Sequence, residues 1–154
     1  MKFVTLLFSL CLLSPFGCKQ STEPTSNLPT VPMRIGTKTY TLEVAARDSD
    51  RMRGLMFRDS MPADHGMIFI FTEPSIKGFW MKNVRIPLDI LFLAADGKVV
   101  SIHRMEPYIT RSTESGGPMK YAVELNGDQA QTTGVKAGDV LTIPDAAKNA
   151  PADP

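Results

Sequence analysis

One acidic side chain stands where an apolar one is expected. In Leu88-Asp89-Ile90-Leu91-Phe92-Leu93, Asp89 shares a strand face with Leu91 and Leu93, while Leu88, Ile90 and Phe92 fill the other. An unpaired carboxylate there is costly, so Asp89 should meet a cation, a set of donors or solvent. It reads either as a carboxyl held in a pocket for binding or proton transfer, or as a buried ion pair that fixes strand register. Glu124 alternates with Tyr121, Val123 and Leu125 and reads as the polar face of a strand. If it faced one cavity with Asp89, the two could hydrolyse a glycosidic bond, which needs carboxyls about 5 Å or about 6.5 to 9.5 Å apart. Trp80, the only Trp, could stack on a flat ligand, whereas its neighbours Phe79 and Met81 mark it as core. Arg53 and Arg58 could fork onto an anion or simply lie solvated on a helix. Nine Met include Met52, Met56, Met61 and Met67 near His65, a soft-ligand set of the copper(I) kind, with His103 elsewhere. Met56, Met67 and Met81 nevertheless fall in segments that read as buried faces, where Met fills gaps, so neither metal nor cofactor is expected. No Ser-His-Asp order, nucleophile elbow, phosphate loop or HExxH occurs.

The elements that must hold these residues are mostly strands. Tyr40, Leu42 and Val44 alternate with Thr and Glu over 39–45. Asp48, Ser49 and Asp50 can cap a short helix that carries Met52, Leu55 and Met56. The apolar runs 66–71 and 78–82 read as buried strands. Two strand-like runs, 88–94 and 98–105, flank Ala95-Asp96-Gly97, a strong hairpin signal. A polar loop over 106–118, a strand over 121–125, a helical turn over 128–133 and a last strand over 140–143 complete the domain. The expected class is β-rich α+β: one compact domain, mainly antiparallel sheet curled toward a barrel, with one or two short helices.

At the amino terminus Lys2 precedes an apolar run over 3–16, closed by Gly17-Cys18. This is the layout of a secretory signal, and the run is shorter than the ~20 residues of a membrane-spanning helix. The segment resembles a bacterial lipoprotein signal, which implies cleavage after residue 17 and lipidation of Cys18. Simple cleavage, with release to the periplasm or medium, is the alternative. Lys19 in place of Asp implies, by resemblance to lipoprotein sorting, an outer-membrane anchor on the periplasmic side in a host with two membranes. Residues 18–32, rich in Ser, Thr and Pro, read as a flexible tether, 33–145 as the domain and 146–154 as a disordered tail. The only two Cys are Cys11 and Cys18, so the domain has no thiol chemistry. Seventeen basic residues against 16 acidic give a net charge of +1, with no footprint for nucleic acid.

The segments Arg53-Gly54-Leu55-Met56-Phe57-Arg58, Gly66-Met67-Ile68-Phe69, Phe79-Trp80-Met81-Lys82-Asn83, Ile86-Pro87-Leu88-Asp89-Ile90 and Val123-Glu124-Leu125-Asn126 resemble, in order and spacing, the domain of unknown function 192 family (uncharacterised protein family 0127). The likeness spans roughly 34–143 and implies a compact β-rich domain, often exported. It implies no activity, substrate or cofactor. In these motifs Arg53, Arg58, Lys82 and Asn83 are the partners expected for Asp89. The reading that follows is a monomeric, non-catalytic envelope module that binds a small polar ligand in a pocket of Arg58, Trp80, Asn83 and Asp89, with Arg53 and Glu124 as further candidates. The alternatives are a hydrolase using Asp89 and Glu124, or an assembly protein with no small-molecule site.

Overall fold

A computed structural model of the protein describes residues 26–153, so the expected signal segment, Cys18 and the start of the tether lie outside the described residues. Among the described residues no helix is long and apolar enough to cross a membrane. Eight strands and three short helices follow in the order β1 (Thr30–Ile35), β2 (Lys38–Ala45), α1 (Asp48–Arg53), β3 (His65–Ser75), β4 (Gly78–Phe79), β5 (Leu88–Leu93), β6 (Val99–Met105), β7 (Thr113–Glu114), β8 (Met119–Asn126), α2 (Gln129–Thr133) and α3 (Asp145–Lys148). Six strands form one sheet in the order β1-β2-β3-β8-β5-β6, and β4 and β7 pair separately. Pairing is antiparallel except between β2 and β3, which run parallel. The fold class is the β-rich α+β expected, and the sheet stays open instead of closing into a barrel.

Both faces of the sheet are covered, so β3, β5 and β8 read as continuous apolar runs rather than alternating ones. On one face Val31, Met33, Leu42, Ile68, Leu91 and Val123 pack under α2, α3 and the segment around Leu141 and Ile143. On the other, Met67, Phe69, Ile90, Phe92 and Ala122 pack under Leu55, Met61, Met81 and Val84 from the long connections. The β5–β6 hairpin turns where expected, with Gly97 at φ +85°. A side chain at Gly97 would strike the Leu141 carbonyl, so that turn admits only glycine in two respects.

Four sequence expectations change. Residues 30–32 lie in β1 rather than in the tether, because Val31, Met33 and Ile35 alternate inward and an edge strand tolerates Pro32. The expected strand over 140–143 shrinks to one bridge between Lys98 and Val140. Residues 145–148 form α3 instead of a disordered tail, since Ala147 is buried in the core and Asp153 N–H reaches the Ala46 carbonyl at 3.4 Å. Asp48 and Asp50 do not cap α1 but sit inside its first turn, where the helix dipole favours them; Arg47 is the cap residue.

Candidate functional site

β-Pairing places Glu43, Met67, Glu124 and Ile90 in one row across β2, β3, β8 and β5. Directly paired residues project from the same face, here the face under α1 and the long connections. Glu124 is only 5% exposed, and among the described residues no hydrogen bond reaches its carboxyl. Burial pushes that carboxyl up to about 8, with the distant Arg58 charge pulling the other way. At neutral pH it is a carboxylic acid, able to donate a proton in a hydrogen bond.

Glu124 lines a cleft of about 250 Å³ whose walls include Phe69, Phe71, Phe79 and Trp80 and whose edge carries Arg53 and Lys77. The wall is rigid. Phe79 meets Phe69, Phe92 and Phe71 edge-on, with centroids 5.0, 5.5 and 6.3 Å away. Arg51, at the other side, is committed to structure: it donates to the carbonyls of Ala46 and Ile70 and pairs with Asp48. A larger cavity of about 500 Å³ adjoins the cleft through Arg53, Gly54 and Met56. Its Arg58 is already engaged. Arg58 forks onto Glu43 at 2.5 and 2.8 Å, and Ser26 donates to the same carboxylate. Burial works to raise the Glu43 carboxyl, but these hydrogen bonds outweigh it and hold it below its ordinary value. The unpartnered acid makes the smaller cleft the candidate site.

The structure splits the expected group. Trp80 and Glu124 share the cleft, Arg53 lies on its edge, and Arg58 faces the neighbouring cavity. Trp80 is not core: β4 ends at Phe79, Met81 turns inward, and Trp80 is left half-exposed with the Lys82 ammonium 5.4 Å from its ring. Asn83 takes the left-handed conformation, φ 59°, and its amide lies 4.0 Å from Met56 Sδ. Asp89 belongs elsewhere. It pairs with Leu125 and Arg104 on the opposite face of the sheet, accepts a 2.8 Å hydrogen bond from Ala130 N–H at the start of α2, and lies 3.8 Å from Arg104. None of the partners expected from the motifs holds it, because alternation along β5 turns it away from them.

Since Asp89 and Glu124 face opposite sides of the sheet, they cannot flank one glycosidic bond, and the paired-carboxylate hydrolase falls. Sequence reasoning missed Glu43 and Arg104, whose roles depend on the β2–β3 and β5–β6 registers. It also missed the phenylalanine wall, whose members read as ordinary core.

Three non-glycine residues with positive φ meet beside the cleft: Phe57 at 66°, Asn83 at 59° and Tyr108 at 64°. Phe57 N–H donates to the Asn83 carbonyl at 2.8 Å and Tyr108 N–H to the Val84 carbonyl at 3.2 Å. For bulky residues this conformation costs about 1 to 3 kcal/mol each, and the surrounding hydrogen bonds sustain it.

The family model DUF192, described as "Uncharacterized ACR", matches residues 31–143. A solved protein of unknown function from Novosphingobium aromaticivorans is 34% identical, with 78% of this chain and 89% of that one covered and a TM-score of 0.70. A Sinorhizobium meliloti protein described as a candidate transcription regulator is 39% identical, with coverages of 73% and 91% and a TM-score of 0.65. No curated protein matches.

Proposed function

We propose that this chain, which belongs to the DUF192 family, is an exported, non-catalytic module that binds a small amphipathic ligand in the cleft over Glu124. One observation carries the reading: a carboxyl 5% exposed, without a hydrogen bond among the described residues, faces a cleft of about 250 Å³ between aromatic walls. A buried polar group left unpaired costs stability, and a ligand that accepts its proton removes that cost. The body of the ligand packs against Phe69, Phe79 and Trp80. Its acidic end meets Arg53 and Lys77 at the mouth.

The amino-terminal sequence supports export, with an anchor on Cys18 at the periplasmic side of an outer membrane, and so supports a ligand drawn from the cell envelope. A role in transcription regulation, as the description of the Sinorhizobium relative has it, would gain nothing for this chain from direct DNA contact at a net charge of +1. The test is thermal melting of the protein with small aromatic and acyl carboxylates. Some of them should raise the melting temperature of the wild type and leave Glu124→Ala unmoved. A flat wild-type response across that panel, or an equal rise in Glu124→Ala, overturns the reading.

A further inference from the structure

We infer that the exposed aromatic face around residues 80–84 docks on an anionic lipid bilayer, at the mouth of the cleft that Trp80 also lines. Met52, Phe57, Trp80, Tyr108 and Ile109 are each about half to 70% exposed. All five gather at one place. Met52 shares the cleft with Trp80, Phe57 and Tyr108 donate backbone hydrogen bonds to Asn83 and Val84, and Met81 N–H donates to the Ile109 carbonyl at 2.8 Å. Phe57 and Tyr108 both take left-handed backbone and are exposed. Trp and Tyr are the side chains that settle at the headgroup level of a bilayer, with an apolar body and a polar edge.

Charge selects the kind of surface. Lys82 lies over Trp80, Lys77 over Phe71, and no described acid pairs with either one or with Arg53. Two of the nearby acids are already spent, Asp59 on Arg85 at 2.6 Å and Asp48 on Arg51 at 3.4 Å. A face of apolar rings interleaved with unpaired cations fits anionic headgroups. It fits a second copy of itself poorly, because a twofold contact through Trp80 would oppose Lys82 to Lys82. The chain also arrives from this side. Residues 1–25, with the apolar run over 3–16, join the described domain at Ser26, which lines the cavity that shares Arg53, Gly54 and Met56 with the Trp80 cleft.

Trp80 is the only Trp in the chain, so its emission reports this face alone. The full chain is mixed with phosphatidylglycerol or phosphatidylcholine vesicles, each with and without brominated acyl chains. Because the apolar run can bring the chain to either vesicle, the reading is Trp80 quenching rather than sedimentation. Brominated phosphatidylglycerol should remove most of the Trp80 emission, while brominated phosphatidylcholine removes little. Lys82→Glu combined with Tyr108→Ser, both at exposed positions, should abolish the quenching with the melting temperature unchanged. Unaltered emission with brominated phosphatidylglycerol overturns the inference. So does a blue shift that grows with protein concentration in the absence of lipid, which would identify a second copy as the occupant. Neither result bears on the carboxylate response of Glu124.

Discussion

Glu43 and Glu124 stand on either side of Met67 in one row across three strands, and their surroundings push their carboxyls in opposite directions. Two strand spacings put their backbones roughly 10 Å apart. One is an anion clasped by Arg58; the other is a neutral acid lining the cleft. A single sheet face thus carries both forms of the same functional group at neutral pH, with Met67 between them in the row.

The neutral acid sets the first prediction. Glu124 has a folded-state value near 8, above that of the unfolded chain, so its contribution is complete below the unfolded value and lost as pH rises toward and through 8. The melting temperature should therefore fall between pH 5 and pH 9. Glu124→Gln keeps the shape and cannot ionise, so its profile should lose that slope and cross above wild type on the alkaline side. Parallel profiles for the two proteins would show that Glu124 is already ionised in the fold.

Arg58 and Glu43 have side chains only 13% and 12% exposed, so removing one partner leaves a nearly buried charge. Arg58→Ala should cost about 3 kcal/mol, the lower end of the range for a broken buried pair. Glu43→Gln should restore part of that loss when combined with it. Urea unfolding of the two single variants and the double variant measures the coupling. A coupling energy below about 0.5 kcal/mol would reduce the pair to a surface contact.

Asp89 ties β5 to α2 and should matter to stability alone. Asp89→Ala leaves the Ala130 N–H without its acceptor and should cost about 1 to 3 kcal/mol. Any ligand that raises the melting temperature of wild type should raise that of Asp89→Ala by a similar amount. Loss of the ligand response in a variant that still folds would move the site to the other face of the sheet.

Gly66 tests how tightly β3 sits against its neighbours. A methyl there would meet the Glu124 carbonyl oxygen, with Leu125 and Leu42 methyl carbons at 2.8 and 2.9 Å. The carbonyl is held in the ladder, so Gly66→Ala should cost at least ~3 kcal/mol. Gly134→Ala, where a methyl meets open space and only the φ of +74° resists, should cost nearer ~1 kcal/mol. Equal losses in the two variants would mean that the strands part easily.

Local chemistry made part of this fold readable. Asp96-Gly97 between two apolar runs announces the β5–β6 hairpin, and the class follows from counting strands. β1 is hidden because Pro29, Pro32 and the Thr residues imitate a tether, although Val31, Met33 and Ile35 carry the alternation of a strand. The site resisted for a different reason. Whether Glu124 and Asp89 share a face depends on which strands are neighbours, and the parallel β2–β3 pair and the placement of β8 follow from no local signal. Trp80 misled through its company: Phe79 and Met81 are buried or nearly so, and the turn between them presents the indole outward.

The position of β8 governs when this protein can fold. It fills the gap between β3 and β5, yet it begins only at residue 119 of 154, after every other strand of the sheet. Until residue 126 has emerged, β3 and β5 each present an apolar, unpaired edge that can recruit another chain. A nascent chain can form the β1–β2 and β5–β6 pairs early, but it cannot join them into one sheet until β8 is made. That timing makes the edges of β3 and β5 the surfaces a growing chain must keep from pairing with other molecules until β8 arrives.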